Sequence, residues 1–101
     1  MPMYVHAVYF KCKSEDDVET LAKNAREMLG QIPTVQKVHC GRRDPGASRD
    51  VNDTGFHVGL LVLLADRAAC DAYLEHPIHL EFVKQHRETW SNVRVFDFIA
   101  P

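Results

Sequence analysis

The sequence predicts an α+β fold, a four-stranded antiparallel sheet with its helices on one face. Three observations carry this. Four segments rich in β-branched and aromatic residues alternate with the two-residue period of a strand. Two other segments repeat their apolar residues at three- and four-residue spacing, as an amphipathic helix does. The elements run in the order β-α-β-β-α-β. With right-handed crossovers that order gives a ferredoxin-like sheet of spatial order 4-1-3-2.

The first strand, residues 4–13, is apolar on both phases: Val5, Ala7 and Tyr9 on one, His6, Val8, Phe10 and Cys12 on the other. Ser14 followed by Glu15, Asp16 and Asp17 is a helix start, because the hydroxyl can accept from free N–H groups and acids suit the positive end of the helix dipole. Val18, Leu21, Ala22, Ala25, Met28 and Leu29 form the buried stripe of that helix. Gly30 is expected to end it in a left-handed cap, and Pro33 prevents resumption. Residues 35–43 form a more polar edge strand. A polar run over 44–54 follows, long for a hairpin connection, and reads as a solvated loop or a lid.

The third strand, residues 55–65, is the most apolar and belongs in the sheet interior. Asp66 caps a helix over 67–75. Pro77 interrupts it and opens a second helical segment to about Thr89, since proline is tolerated at the first helical position. Residues 93–99 are the last strand, with Val93, Val95 and Ile99 on one phase and Phe96 and Phe98 on the other.

Helices on one face leave the opposite face of the sheet bare. That face should alternate with polar residues, yet strands one, three and four are apolar on both phases. A patch of that size marks an interface. A two-fold homodimer closing two sheets into a barrel-like core is therefore expected, a dimeric α/β barrel; the alternative is an exposed face softened by the long loop folding back on it.

Composition removes several classes of function. The 101 residues fit one domain, 1–101, and 46% apolar content argues against disorder. Net charge is −2, and the one basic cluster, Arg42, Arg43 and Arg49, is interleaved with Asp44 and Asp50 and lacks aromatic residues, so no nucleic-acid partner is expected. No apolar run is long enough for a membrane span, and the first residues lack the pattern of a signal peptide. Cys12, Cys40 and Cys70, odd in number and without a CxxC spacing, read as reduced thiols of a cytoplasmic protein.

Several stretches together resemble a known family: Val5-His6-Ala7-Val8-Tyr9-Phe10-Lys11, Gly55-Phe56-His57-Val58, Tyr73-Leu74-Glu75-His76-Pro77-Ile78-His79 and Val95-Phe96-Asp97-Phe98. They are similar to the stress-responsive A/B barrel (Dabb) domain over nearly the whole chain. The resemblance implies a ferredoxin-like homodimeric α/β barrel, and no single activity. Plant polyketide cyclases of the olivetolic acid cyclase type, which work without a cofactor, place a catalytic tyrosine and histidine where Tyr73 and His79 stand and a pocket tryptophan where Trp90 stands. The aromatic residues lining their tail pocket fall on Ala22 and Ala25 here, so the resemblance does not extend to the same substrate.

The residues themselves support such a site. The strand order brings His6, Asp97 and the Tyr73–His79 region to one end of the sheet and leaves His57 toward the other. A histidine can take a proton from a carbon acid at neutral pH, and a tyrosine hydroxyl can hold the resulting enolate oxygen. Asp97 interrupts an apolar phase and is placed to orient His79 or His6. The plainer reading has Tyr73 and His79 as buried polar residues satisfied by backbone, with Asp97 at a wet strand end. His39 and His86 read as surface residues. His76 and His79 with His6 could hold a metal, but Pro77 lies between the first two and no acidic cluster is near, so no metal and no cofactor is expected. Two functions remain: a homodimer binding a small carbonyl or polyketide-like ligand, with cofactor-free acid–base chemistry, or a non-enzymatic self-assembling protein.

Overall fold

The computed structural model describes residues 2–101. Strand β1 (Met3–Cys12) leads through a 3-10 turn (Glu15–Asp17) into helix α1 (Val18–Asn24), which continues as a π-helical turn over Ala25–Leu29. Strands β2 (Val35–Arg42) and β3 (Val58–Leu64) follow, then helices α2 (Arg67–Glu75) and α3 (Pro77–His86), a 3-10 turn (Arg87–Thr89) and strand β4 (Trp90–Ala100). The strands form one antiparallel sheet in the order β2-β3-β1-β4, the ferredoxin-like arrangement.

The helix starts follow local chemistry. The Ser14 hydroxyl accepts from the Asp16 N–H, and Asp66 Oδ1 accepts from the Ala69 N–H at 2.8 Å. The helix break at Pro77 carries a feature absent from the sequence reading: His76 is the cap of α3, its Nδ1 accepting from the Ile78 N–H at 3.1 Å. Gly30 does not adopt the left-handed cap. Its φ is −65°, because the π-helical turn carries the chain on right-handed into the turns that close on Met28 and Leu29. Glycine is needed there for space, since a Cβ would sit 3.0 Å from the Arg26 carbonyl oxygen and 3.3 Å from Val38.

Register divides the sheet into two faces. Val8 and Phe10 of β1, with Val58, Leu60, Val62 and Leu64 of β3, turn toward the helices and pack on Leu21, Leu29, Ile32 and Phe82. The other face carries Val5, Ala7 and Tyr9 of β1, Leu61 and Leu63 of β3, and Phe96 and Phe98 of β4, with Lys37, His39 and Arg94 toward its rim. No helix covers it, and Phe96 and Phe98 are 53% and 55% exposed. The loop 44–54 lies at one end of this open face, where Arg94 donates to Asp53 at 2.5 Å. That guanidinium, with the Gly55 N–H, holds the Asp53 carboxyl down at about 2.

The cap at Asp66 gives the first testable consequence. Asp66→Ala should lower unfolding stability by about 1 kcal/mol in urea titrations, the usual cost of losing such a cap. No change in the midpoint would mean the carboxylate is not holding the start of α2.

Candidate functional site

The break between α2 and α3 builds the site. Tyr73 lies in the last turn of α2 and His79 in the first turn of α3. Because His76 and Pro77 end one helix and start the next within two residues, the two rings are brought to 4.8 Å between centroids. The His79 Nδ1–H donates to the Leu74 carbonyl at 2.9 Å, one of the carbonyls that the end of α2 leaves without a helical partner. This bond assigns the proton of neutral His79 to Nδ1 and leaves Nε2 with a free lone pair.

The sheet supplies the floor. His6 lies on the helix-facing side of β1, its ring 5.7 Å from that of Tyr73 in a T-shaped arrangement. Asp97 is its direct cross-strand partner on β4, and the His6 Nδ1–H donates to Asp97 Oδ1 at 2.6 Å. Directly opposed residues share a face, which is why Asp97 interrupts the apolar phase of β4 at that position. Asp97 thus serves His6 and makes no bond to His79. Trp90, at the start of β4, packs on Phe10 at 4.8 Å and near Phe82 at 6.3 Å. Its indole Nε1–H is buried without a partner.

These groups line one cavity of 190 Å³ between the helices and the sheet: His6, Tyr73, His79 and Trp90, closed by apolar side chains that include Val83, Val93 and Val95. No lysine or arginine lines it. Larger hollows of 400 and 430 Å³ lie along the open sheet face and the loop 44–54, and none of these four residues lines either. The loop is therefore no lid over this site. Ala22 and Ala25 are buried in the core and do not border the cavity.

Burial sets the protonation states. It pushes the His79 pKa below the ordinary 6.5, with nearby His6 adding to the shift and the Leu74 carbonyl opposing it. It pushes the Tyr73 phenol well above its usual value, and this side chain is only 1% exposed. At neutral pH the pair is a neutral imidazole with a free nitrogen beside a protonated phenol, a base next to a hydrogen-bond donor. Burial also lifts the Cys40 and Cys70 thiols to about 11, so neither is a thiolate nucleophile at neutral pH.

Three histidines have roles that the sequence reading missed. His86 is no surface residue: it is 6% exposed, its ring packs tilted against Phe82 at 4.9 Å, and its Nε2 accepts from the Asn24 side-chain amide at 3.0 Å. The helical spacing Phe82–His86 was the available signal. His57 accepts from the Cys12 N–H at 3.0 Å through Nδ1, where the β1–β4 register shifts, at the far end of the sheet from His6. His76 is committed to its cap. Among the described residues, no group of three or more His, Cys, Asp or Glu is arranged to hold a metal ion.

Two buried imidazoles give a pH dependence with a definite sign. Desolvation lowers the folded-state pKa of both His79 and His86, so the unfolded chain binds more protons near pH 6. Their contribution to stability is present above the unfolded value of 6.5 and is lost as pH falls through their lower folded values. NMR titration should give both midpoints below 6.5. A midpoint above that value for either would mean that burial does not dominate its environment.

A family model, the stress-responsive A/B barrel domain, matches residues 5–100. A stress-response A/B barrel domain-containing protein of Arabidopsis thaliana is 24% identical over 95 residues, covering 94% of this chain and 84% of that protein. Among solved structures, a dimeric ferredoxin-like protein of unknown function from Thermobifida fusca superposes with a TM-score of 0.78 at 17% identity, over 99% of this chain and 92% of that one. The hydroxynitrile lyase of Passiflora edulis superposes with a TM-score of 0.80 at 18% identity, over 98% and 94% of the two chains. No helix of the described residues is long and apolar enough to cross a membrane. The match across nearly all of its length makes the chain a member of the stress-responsive A/B barrel domain family.

Proposed function

We propose that this protein is a two-fold homodimer in which each subunit binds a small neutral carbonyl compound, or its hydroxy adduct, and performs acid–base chemistry on it without a cofactor. The observation that carries the proposal is the Tyr73–His79 pair at 4.8 Å on one small apolar cavity, with His79 Nδ1 already committed to Leu74. His79 Nε2 would take a proton from an acidic C–H or from a hydroxyl of the ligand. The Tyr73 O–H would donate to the carbonyl or enolate oxygen as charge develops on it. His6, held by Asp97, supports the Tyr73 side of the cavity, and Trp90 forms a wall.

Size and charge narrow the ligand. A cavity of 190 Å³ suits a single ring or a short chain. With no cation on its walls, nothing there would offset the cost of bringing in a carboxylate. Aldol-type cyclisation and isomerisation fit this donor and base, and so does cleavage of a hydroxy adduct, in which His79 would take the hydroxyl proton, the C–C bond would break as the carbonyl forms, and the imidazolium would return the proton to the departing carbanion. The hydroxynitrile lyase of Passiflora edulis, similar in fold, bears a name of the last kind. Three free thiols are consistent with a reducing, cytoplasmic setting.

The dimer rests on the open sheet face and on the relative from Thermobifida fusca, which is dimeric. Covering the exposed halves of Phe96 and Phe98 contributes about 1 kcal/mol per ring. The same observation favours a second reading, a family member whose purpose is stable self-association. The two part at Tyr73. Tyr73→Phe removes only the hydroxyl and should lower turnover of a small aromatic β-dicarbonyl or cyanohydrin by roughly 100-fold or more. Its melting temperature should stay near that of the parent. Turnover unchanged by the substitution would remove Tyr73 from the chemistry. No turnover and no binding across a panel of neutral carbonyl compounds would leave self-association as the function.

A further inference from the structure

Gly41 and Gly59 stand directly opposite each other on β2 and β3, on the open face of the sheet. Neither has a positive φ, so neither is glycine for backbone reasons. Gly59 has neighbours within its own chain. Tyr9 is its cross-strand partner on β1, and a Cβ at Gly59 would rest in van der Waals contact with the Tyr9 ring at 3.5 Å. Gly41 has no such neighbour. A Cβ there would meet nothing within 4 Å, and a strand glycine without a side chain to pack is a cost to the strand. The two glycines border a hollow of 430 Å³ that Tyr9, His39 and Leu61 also line, with Arg26, whose guanidinium donates to the Cys40 carbonyl, at its edge.

We infer that the hollow at Gly41 is the socket for Phe96 of a second copy of this chain. The inference rests on the homodimer proposed above and specifies how its two faces lock. Strands β2 and β4 are the two edges of the sheet. When two such sheets close face to face into a barrel, β4 of one subunit comes alongside β2 of the other. Phe96 is the aromatic side chain of β4 nearest the socket's level. It shares a cross-strand row with Ala7, Leu61 and His39, one row from Gly41 and Gly59, whereas Phe98 lies in the row beyond. It is 53% exposed, with Tyr9 as its one aromatic neighbour at 5.9 Å. Two-fold symmetry makes the contact twice, each subunit offering one ring and one socket.

The test is a double-mutant cycle on the dimer dissociation constant, measured by sedimentation equilibrium with the full chain. Gly41→Val intrudes on the socket with a good strand former whose Cβ meets nothing within 4 Å in its own subunit. It should raise the dissociation constant at least roughly tenfold, while circular dichroism shows the fold retained. Gly41→Ala, the smaller step, should have an intermediate effect. Phe96→Ala should also weaken the dimer, and in that background Gly41→Val should cost much less than it does alone, the signature of direct contact. A dissociation constant within about twofold of the parent for Gly41→Val, or additive effects of the two substitutions, would overturn the socket and leave the dimer standing. A parent chain that sediments as a monomer would overturn both.

Discussion

A four-stranded sheet has two faces, and the helices of this chain are enough for one. The rest of the molecule follows from that shortage. Leu21, Leu29, Ile32 and Phe82 seal the inner face over β1 and β3. The outer face keeps Leu61, Leu63, Phe96 and Phe98, side chains that a solvated surface would replace with polar ones. In the proposed dimer a second copy would supply the missing layer without a further element in the chain, and the closed sheet would remove edges otherwise free to pair elsewhere.

The inner face also positions the candidate site. Over its edge at β4 the helices lie less closely, and Val93 and Val95 stay partly open on the side that faces them. The gap is the cavity walled by Tyr73, His79, His6 and Trp90. His79 holds two positions in the design. Through Nδ1 it ties α3 to the last turn of α2, and that tie fixes the tautomer that frees Nε2. Asp97 and His6 form a second fixed pair beneath, set by the β1–β4 register and independent of the helices.

Much of this was legible in the residues. Two-residue alternation located the four strands, and the doubly apolar phases of β1 and β3 foretold both a covered and an uncovered face. Topology alone brought His6, Asp97, Tyr73 and His79 to one end of the sheet. What it could not assign was pairing: Asp97 was open to either histidine, and only the register, His6 opposite Asp97, decides. His86 was misread because its burial comes from α3 packing against the π-helical turn that continues α1 and from the Asn24 amide, contacts between elements distant in sequence. The left-handed cap expected at Gly30 failed because the π-helical turn altered the exit of α1, and the glycine answers the close approach of the Arg26 carbonyl and of Val38 on β2. The residues of the loop 44–54 left open whether it is a lid, a solvated loop or a segment folded back on the open face. Ion pairing of Arg94 with Asp53 places it on the open face, away from the cavity.

Everything rests on the outer face being covered by a twin. The mass of the unmodified chain in solution at micromolar concentration, measured by light scattering on a size-exclusion column, tests this most directly. Twice the 11.5 kDa chain mass is expected. A single, well-behaved peak at the chain mass would contradict it, because the apolar sheet face would then be stable in water on its own.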